Sequence, residues 1–303
     1  MTDSEQMVWI LDDNKAEITD IVNFDQLGGY REGDEVISQS THRKYRATTS
    51  TIDTPEIGSK KSPPTWTDVG PTNKYAFRDT YIHNRTISQS DGTIEGDKVR
   101  FNLTFDGVSD SISFFGLQNT DEIVIYYYGG DSADIIETRI ISLIDYEATL
   151  KTGEQTLLES FVVIGSDFNE DAVSARIELK PDGSGNAVAV GRMIAGKAVE
   201  LGVTQYGAKL SIEDFSRRER DEFGNFTIIP RDTAKNIDFD VKIPKEDVNF
   251  VFTYLSKLTT IPCVFLGDDE DAAVQVYGYY SDYTHNIDYP SITSATISVE
   301  GLT

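Results

Sequence analysis

Sulfur and positive charge are both scarce in this sequence. Its 303 residues include one cysteine, Cys263, and three methionines. A lone thiol closes no intrachain disulfide and builds no thiolate metal cluster, so stability has to come from packing or from association with other chains, as suits a reducing cytoplasm. Lys and Arg number 27 against 51 Asp and Glu, a formal net charge of −24. Such a surface repels phosphate backbones and anionic lipid, which argues against nucleic acid as a partner. The histidines His42, His83 and His285 lie far apart and outside any HExxH-type pair. No apolar run approaches the roughly 18 residues of a membrane span. The opening MTDSEQMVWILDD has no basic leader, so neither a signal peptide nor membrane insertion is expected.

Signals for catalysis are equally thin. There is no GxSxG elbow, P-loop or GxGxxG, and Cys263 lies in an apolar IPCVF run that reads as a buried thiol. The acidic turn Asp268, Asp269, Glu270, Asp271 lacks the alternating spacing and bidentate Glu of a calcium loop and reads as a solvated tip. A glycosidase dyad needs only two carboxylates meeting at roughly 5–10 Å, and so acidic a chain offers many accidental pairs. No catalytic residue, metal or cofactor is assigned, and a non-enzymatic protein is expected.

What is abundant is strand-forming sequence. Hydrophobic residues make up 39% and aromatics 11%, enough to bury cores and to argue against general disorder. The runs RFNLTF (100–105), SISFFG (111–116), EIVIYYY (122–128), TRIISLI (138–144), SFVVIG (160–165) and SARIELK (174–180) are separated by Gly- and Asx-rich turns such as KTGEQ and KPDGSGN. That is the pattern of a β-sandwich, here read over 71–190. Residues 1–23 read as an N-terminal arm. Residues 24–70 are polar and form a small β module that leans on its neighbour. Residues 191–303 read as an α+β domain with one helix: after Pro244, acidic residues mark the start, and Val248, Val251, Phe252, Leu255 and Leu258 fall on one face. The fold class is therefore mainly β.

Within 24–70, Tyr30, Gly33, Asp34, Val36, Tyr45 and Trp66 occur in an order that resembles the chitin- and cellulose-binding modules of the family 5/12 type. The resemblance implies that Tyr30, Tyr45 and Trp66 are candidates for stacking on a sugar ring. The same aromatics equally suit the tiny core that so small a module needs. The segment WTDVGPTNKYAFRD (66–79) is similar to a W-x-D-x-GPTN-x-x-A-x-x-D signature of bacteriophage tail-associated proteins. It reads as structural: Asn73 bonding its own backbone, Tyr75 and Phe77 entering a following strand, and Asp79 and Thr86 joining a turn or strand-edge network.

Further on come Asp214, Ser216, Asp221, Phe223 and Gly224, then Thr260 with Pro262 and Cys263, and finally Glu300, Gly301 and Leu302. This series resembles a domain of phage tail and baseplate proteins, with the TPC turn of that domain shifted here to IPC by Ile261. The resemblance implies a non-enzymatic virion component of a tail tip or baseplate, similar to distal-tail or minor tail proteins and made in the host bacterial cytoplasm. Its implied partners are other tail proteins, further copies in a homo-oligomeric ring, and a host surface glycan. Arg217, Arg218 and Arg220 alternate with acids around Asp221, which marks them as candidates for ion pairing within the chain or across a subunit boundary. Two rival readings stand beside this one: a carbohydrate- or receptor-binding adhesin, and a polysaccharide-degrading enzyme.

Overall fold

The computed structural model describes residues 8–11, 22–23, 29–88, 98–105, 109–130, 134–165, 168–220, 226–268, 271–286 and 291–302. All six sandwich runs form strands. A five-stranded sheet has the order Val8–Leu11, Val99–Thr104, Ser174–Pro181, Thr120–Tyr128, Ile135–Ser142, and a three-stranded sheet has the order Ser160–Ile164, Ser111–Phe115, Arg192–Gly196. Every pairing in both is antiparallel. Two expected boundaries shift. The supposed N-terminal arm contributes Val8–Leu11 to the edge of the larger sheet, and the sandwich extends past residue 190 to take in Arg192–Gly196.

Alternation explains the larger sheet: Phe101, Leu103, Ile123, Ile125, Ile177 and Leu179 point inward to one core. The smaller sheet is apolar on both sides for a different reason. Ile112, Phe114 and Met193 face that core, whereas Phe115, Val162 and Ile194 turn the other way and pack on Val264 and Tyr277 of the C-terminal domain. Sandwich and C-terminal domain therefore share a packed layer, which explains why every residue of Ser111–Phe115 and Arg192–Gly196 is buried. A guanidinium joins the seam, with Arg192 lying 5.6 Å from the centre of the Tyr277 ring.

The C-terminal sheet runs Val203–Thr204, Thr233–Pro244, Ile292–Gly301, Gln275–Asn286, Cys263–Leu266, with Lys209–Asp214 also pairing onto Thr233–Pro244. Its inner face holds Ile237, Phe239, Val241, Ile243, Ile297 and Val299, covered by the helix Val248–Lys257. Val251 and Leu255 are the buried residues of that helix, followed by a buried Leu258 at its C-cap, while Phe252, expected on the same face, is exposed. At 3.6 residues per turn, Phe252 follows Val251 by about 100°, which carries it off a narrow apolar stripe. The sandwich also holds an unforeseen helix, Tyr146–Thr152, where KTGEQ reads as a turn. Asp145 caps it by accepting from Ala148 N at 2.8 Å, and Gly153 ends it at φ 76°. It buries no residue, so it has no apolar period to reveal it.

The WTDVGPTN segment closes the N-terminal module and then departs from expectation. Trp66–Pro71 is the last strand of the four-stranded sheet Val22–Asn23, Glu35–Ser38, Arg43–Ala47, Trp66–Pro71. Residues Asn73–Arg78 then form a 3₁₀ helix, not a strand. Asn73 bonds the backbone of Ile87, donating to Ile87 O at 3.0 Å and accepting from Ile87 N at 2.8 Å. Thr86 donates to Asn73 O and accepts from Phe77 N, while Asp79 pairs with Arg43 at 2.9 Å, so the expected network exists.

Candidate functional site

Two groups of residues were singled out by sequence, and they meet opposite fates. In the N-terminal module, Trp66 has 0% of its surface exposed and Tyr45 only 5%. With Val36 and Ala47 they form the module's buried core among the described residues, against which a half-buried Tyr30 packs edge-on to Trp66, ring centres 5.3 Å apart. The indole N–H donates to Asp53 O at 2.9 Å, and Gly58 lies so close beneath the ring that an added Cβ would collide with it. Stacking needs a flat face open to solvent, which Tyr45 and Trp66 do not offer, while Tyr30 is half-buried against Trp66. A module of this size commits its large rings to its own core. The remaining motif positions are structural too: Gly33 sits at φ 90°, where other residues are strained, and Asp34 accepts from Arg31 N at 2.7 Å to close the turn.

Ionisation in the module follows the same logic. Hydrogen bonds from Lys61 and Thr65 hold the Asp53 carboxyl below the usual carboxylate range. Burial alone would raise Glu56, but hydrogen bonds from Ser38 and Ser40 outweigh it and the group lies low. At the seam with the 3₁₀ helix, His42 stacks on Tyr75 with ring centres 3.7 Å apart. Burial, with Arg78 and Lys74 nearby, lowers its pKa.

The arginines stand on an exposed feature. Lys209–Asp214 pairs with Thr233–Pro244, and beyond it Arg217–Arg220 pairs with Phe226–Ile229, so the two chain segments run out together as a two-stranded ribbon. Every residue of Lys209–Asp214, Arg217–Arg220 and Phe226–Ile229 is exposed. Arg218 donates to Asp214 at 2.7 Å, Arg217 pairs with Glu219, and Arg220 lies 6.0 Å from the Phe226 ring centre. The ion pairing is thus within the chain for Arg217 and Arg218, and exposed pairs of this kind contribute at most about 1 kcal/mol. Hydrogen bonds from Ser216, supported by Arg218, hold Asp214 below the ordinary carboxylate range. Asp221, Phe223 and Gly224 lie outside the described residues.

Sequence reading missed the apolar half of this ribbon. Ile212 is 77% exposed, Phe226 54% and Ile228 55%, with Leu210, Phe215 and Ile229 exposed as well. Arg218 stands opposite Ile228 and Arg220 opposite Phe226, so one face carries two arginines beside two large apolar side chains. Tyr206, just before the ribbon, is fully exposed. In sequence these residues look like any strand core, and only the absence of a covering layer marks them out.

Elsewhere Cys263 is buried, its sulfur directed at Ile261 O, and burial pushes its thiol above the ordinary range. Asp271 caps the short turn Ala272–Val274, while Asp269 and Glu270 lie outside the described residues. Among the described residues no group of three or more His, Cys, Asp or Glu is arranged to hold a metal ion, and no helix is long and apolar enough to cross a membrane. The chain matches no family model and no curated protein.

Proposed function

We propose that this chain is a structural building piece that associates with further copies of itself and with neighbouring proteins, as a component of a bacteriophage tail tip or baseplate. The observation that carries the reading is the ribbon of Lys209–Asp214, Arg217–Arg220 and Phe226–Ile229, exposed on both faces yet studded with Ile and Phe. A lone two-stranded ribbon is marginally stable in water, and apolar surface of this kind marks a contact site. Arginine beside aromatic and aliphatic side chains is also the composition of interface anchors. Docked on a neighbour, the ribbon gains the layer it lacks, and rotational repetition multiplies a modest contact into a firm ring. The tail assignment itself draws on the sequence resemblances across WTDVGPTNKYAFRD and the C-terminal motifs. Host attachment through Tyr45 and Trp66 gains no support, since those rings pack inward. Purified particles should contain the chain in several copies located at one end of the tail, as read by mass spectrometry and antibody labelling in the electron microscope; particles that lack it contradict the assignment.

A further inference from the structure

Ile135–Ser142 is the outermost strand of the five-stranded sandwich sheet, paired with Thr120–Tyr128 on one side and, among the described residues, with no strand on the other. An open edge presents unpaired backbone N–H and C=O groups, and proteins guard it with lysine, proline, short length or a bulge. This edge is eight residues long, IIETRIIS, without lysine or proline. Its guard is a bulge between Ile135 and Glu137, which leaves 137–142 in regular pairing. Its outer face holds isoleucine in solvent: Ile136 and Ile140, the latter 66% exposed, flank an exposed Thr138. Glu137 and Arg139 occupy the other face, half-buried and paired at 2.5 Å, and Glu137 also accepts from Asn169.

The strand is complementary to itself. Turned about Thr138 and laid antiparallel against a copy, it sets Glu137 opposite the second copy's Arg139 and Arg139 opposite the second copy's Glu137, while Thr138 meets Thr138 and each Ile140 meets an Ile136. Opposite charges and threonine pairs stabilise facing strands, and like charges directly opposite destabilise them; the paired isoleucines withdraw apolar surface from water. Register is thereby fixed, since centring on Glu137 sets Glu against Glu and centring on Arg139 sets Arg against Arg. The donors of a guanidinium and the lone pairs of a carboxylate suffice for the internal and the crossed pairs together. On a chain of net charge −24, such a balanced strip is also where two copies approach with little repulsion. We propose that this edge is a twofold seam, at which two copies of the chain join their five-stranded sheets into one continuous sheet. Two eight-residue edges make less than the roughly 1,200 Å² of a self-sufficient interface, so the seam rests on the building-piece reading: the ribbon gathers copies, and the seam fixes how two of them face and gains from their proximity.

Charge reversal tests the seam in the full-length chain, with association read by sedimentation velocity and folding by circular dichroism. Glu137→Arg and Arg139→Glu each set like charges opposite one another at both crossings, and each should weaken association at least ~10-fold. Mixed in equal amounts they should recover it, because every crossing between the two variants then joins Arg to Glu. Repair within one chain cannot produce that recovery, since each variant chain still carries like charges at these positions. Thr138→Cys should form an intermolecular disulfide under mild oxidation, the facing Cβ atoms lying roughly 5 Å apart. Ser142→Cys, displaced along the strand and so roughly 26 Å from its copy, should not, and Cys263 is buried and stays reduced. The cysteine variants decide the matter if a charge variant fails to fold. The seam is overturned by charge variants that associate like the wild type, by a mixture no stronger than its components, or by Ser142→Cys cross-linking as readily as Thr138→Cys. Any of these together with weakened association in Phe226→Ser leaves the ribbon reading standing, so the two fail separately.

Discussion

Replacing Phe226 with serine separates the ribbon as an assembly device from the ribbon as part of the monomer's own fold. The side chain is 54% exposed in the isolated chain, so the substitution removes little internal packing and should leave thermal stability within about 0.5 kcal/mol. In an interface the exposed part becomes buried. An aromatic side chain buries about 150–250 Å² in full, so roughly 110 Å² is at stake here, worth about 2–3 kcal/mol at ~25 cal/mol per Å². That corresponds to a roughly 30- to 150-fold weaker association per contact. Sedimentation velocity over a range of protein concentrations reads the association, and a circular dichroism melt reads the fold. Unchanged association would remove Phe226 from any interface. A melt lowered by several degrees with association intact would mean that the ribbon packs within its own chain, and the reasoning would fail.

Three further outcomes follow from the same structure. Trp66→Ala deletes the largest member of a four-residue core and should cost about 3–5 kcal/mol, seen as loss of hydrogen-exchange protection confined to residues 29–71; protection retained there would contradict the inward packing. Asp53 and Glu56 both titrate below their unfolded values, so their contribution to stability is present above about pH 4 and is lost as pH falls through the lower folded values. Emission of Trp66 in a Trp9→Phe background should report this acid transition, and Asp53→Asn should flatten it. Cys263, buried with its thiol pushed up, should resist a thiol reagent at pH 8 and react on unfolding; rapid labelling of the native chain would contradict its place in the core.

Strands were legible because burial on one face imposes a period of two. Val99–Thr104 and Thr233–Pro244 alternate buried and less buried residues along most of their length, and that alternation is visible as letters. Ser111–Phe115 was legible as a strand from Ile112, Phe114 and Phe115, but the reason all five of its residues are buried, a third layer formed by Val264 and Tyr277, arises from contacts more than a hundred residues apart. The helix Tyr146–Thr152 stayed hidden because it buries nothing. Trp66 and Phe226 show why the candidate sites were the hardest part. Both are large aromatics in strand-like sequence, yet one is sealed in a core and the other stands in solvent. Local pattern records that a side chain is apolar and not which surface finally covers it.

Association is the claim on which the functional reading turns, and native mass spectrometry of the purified full-length chain measures it directly. A closed set of several copies, shifting to monomer when Phe226 and Ile228 are both replaced by serine, is the expected result. A wild-type chain that remains monomeric at every concentration would contradict it.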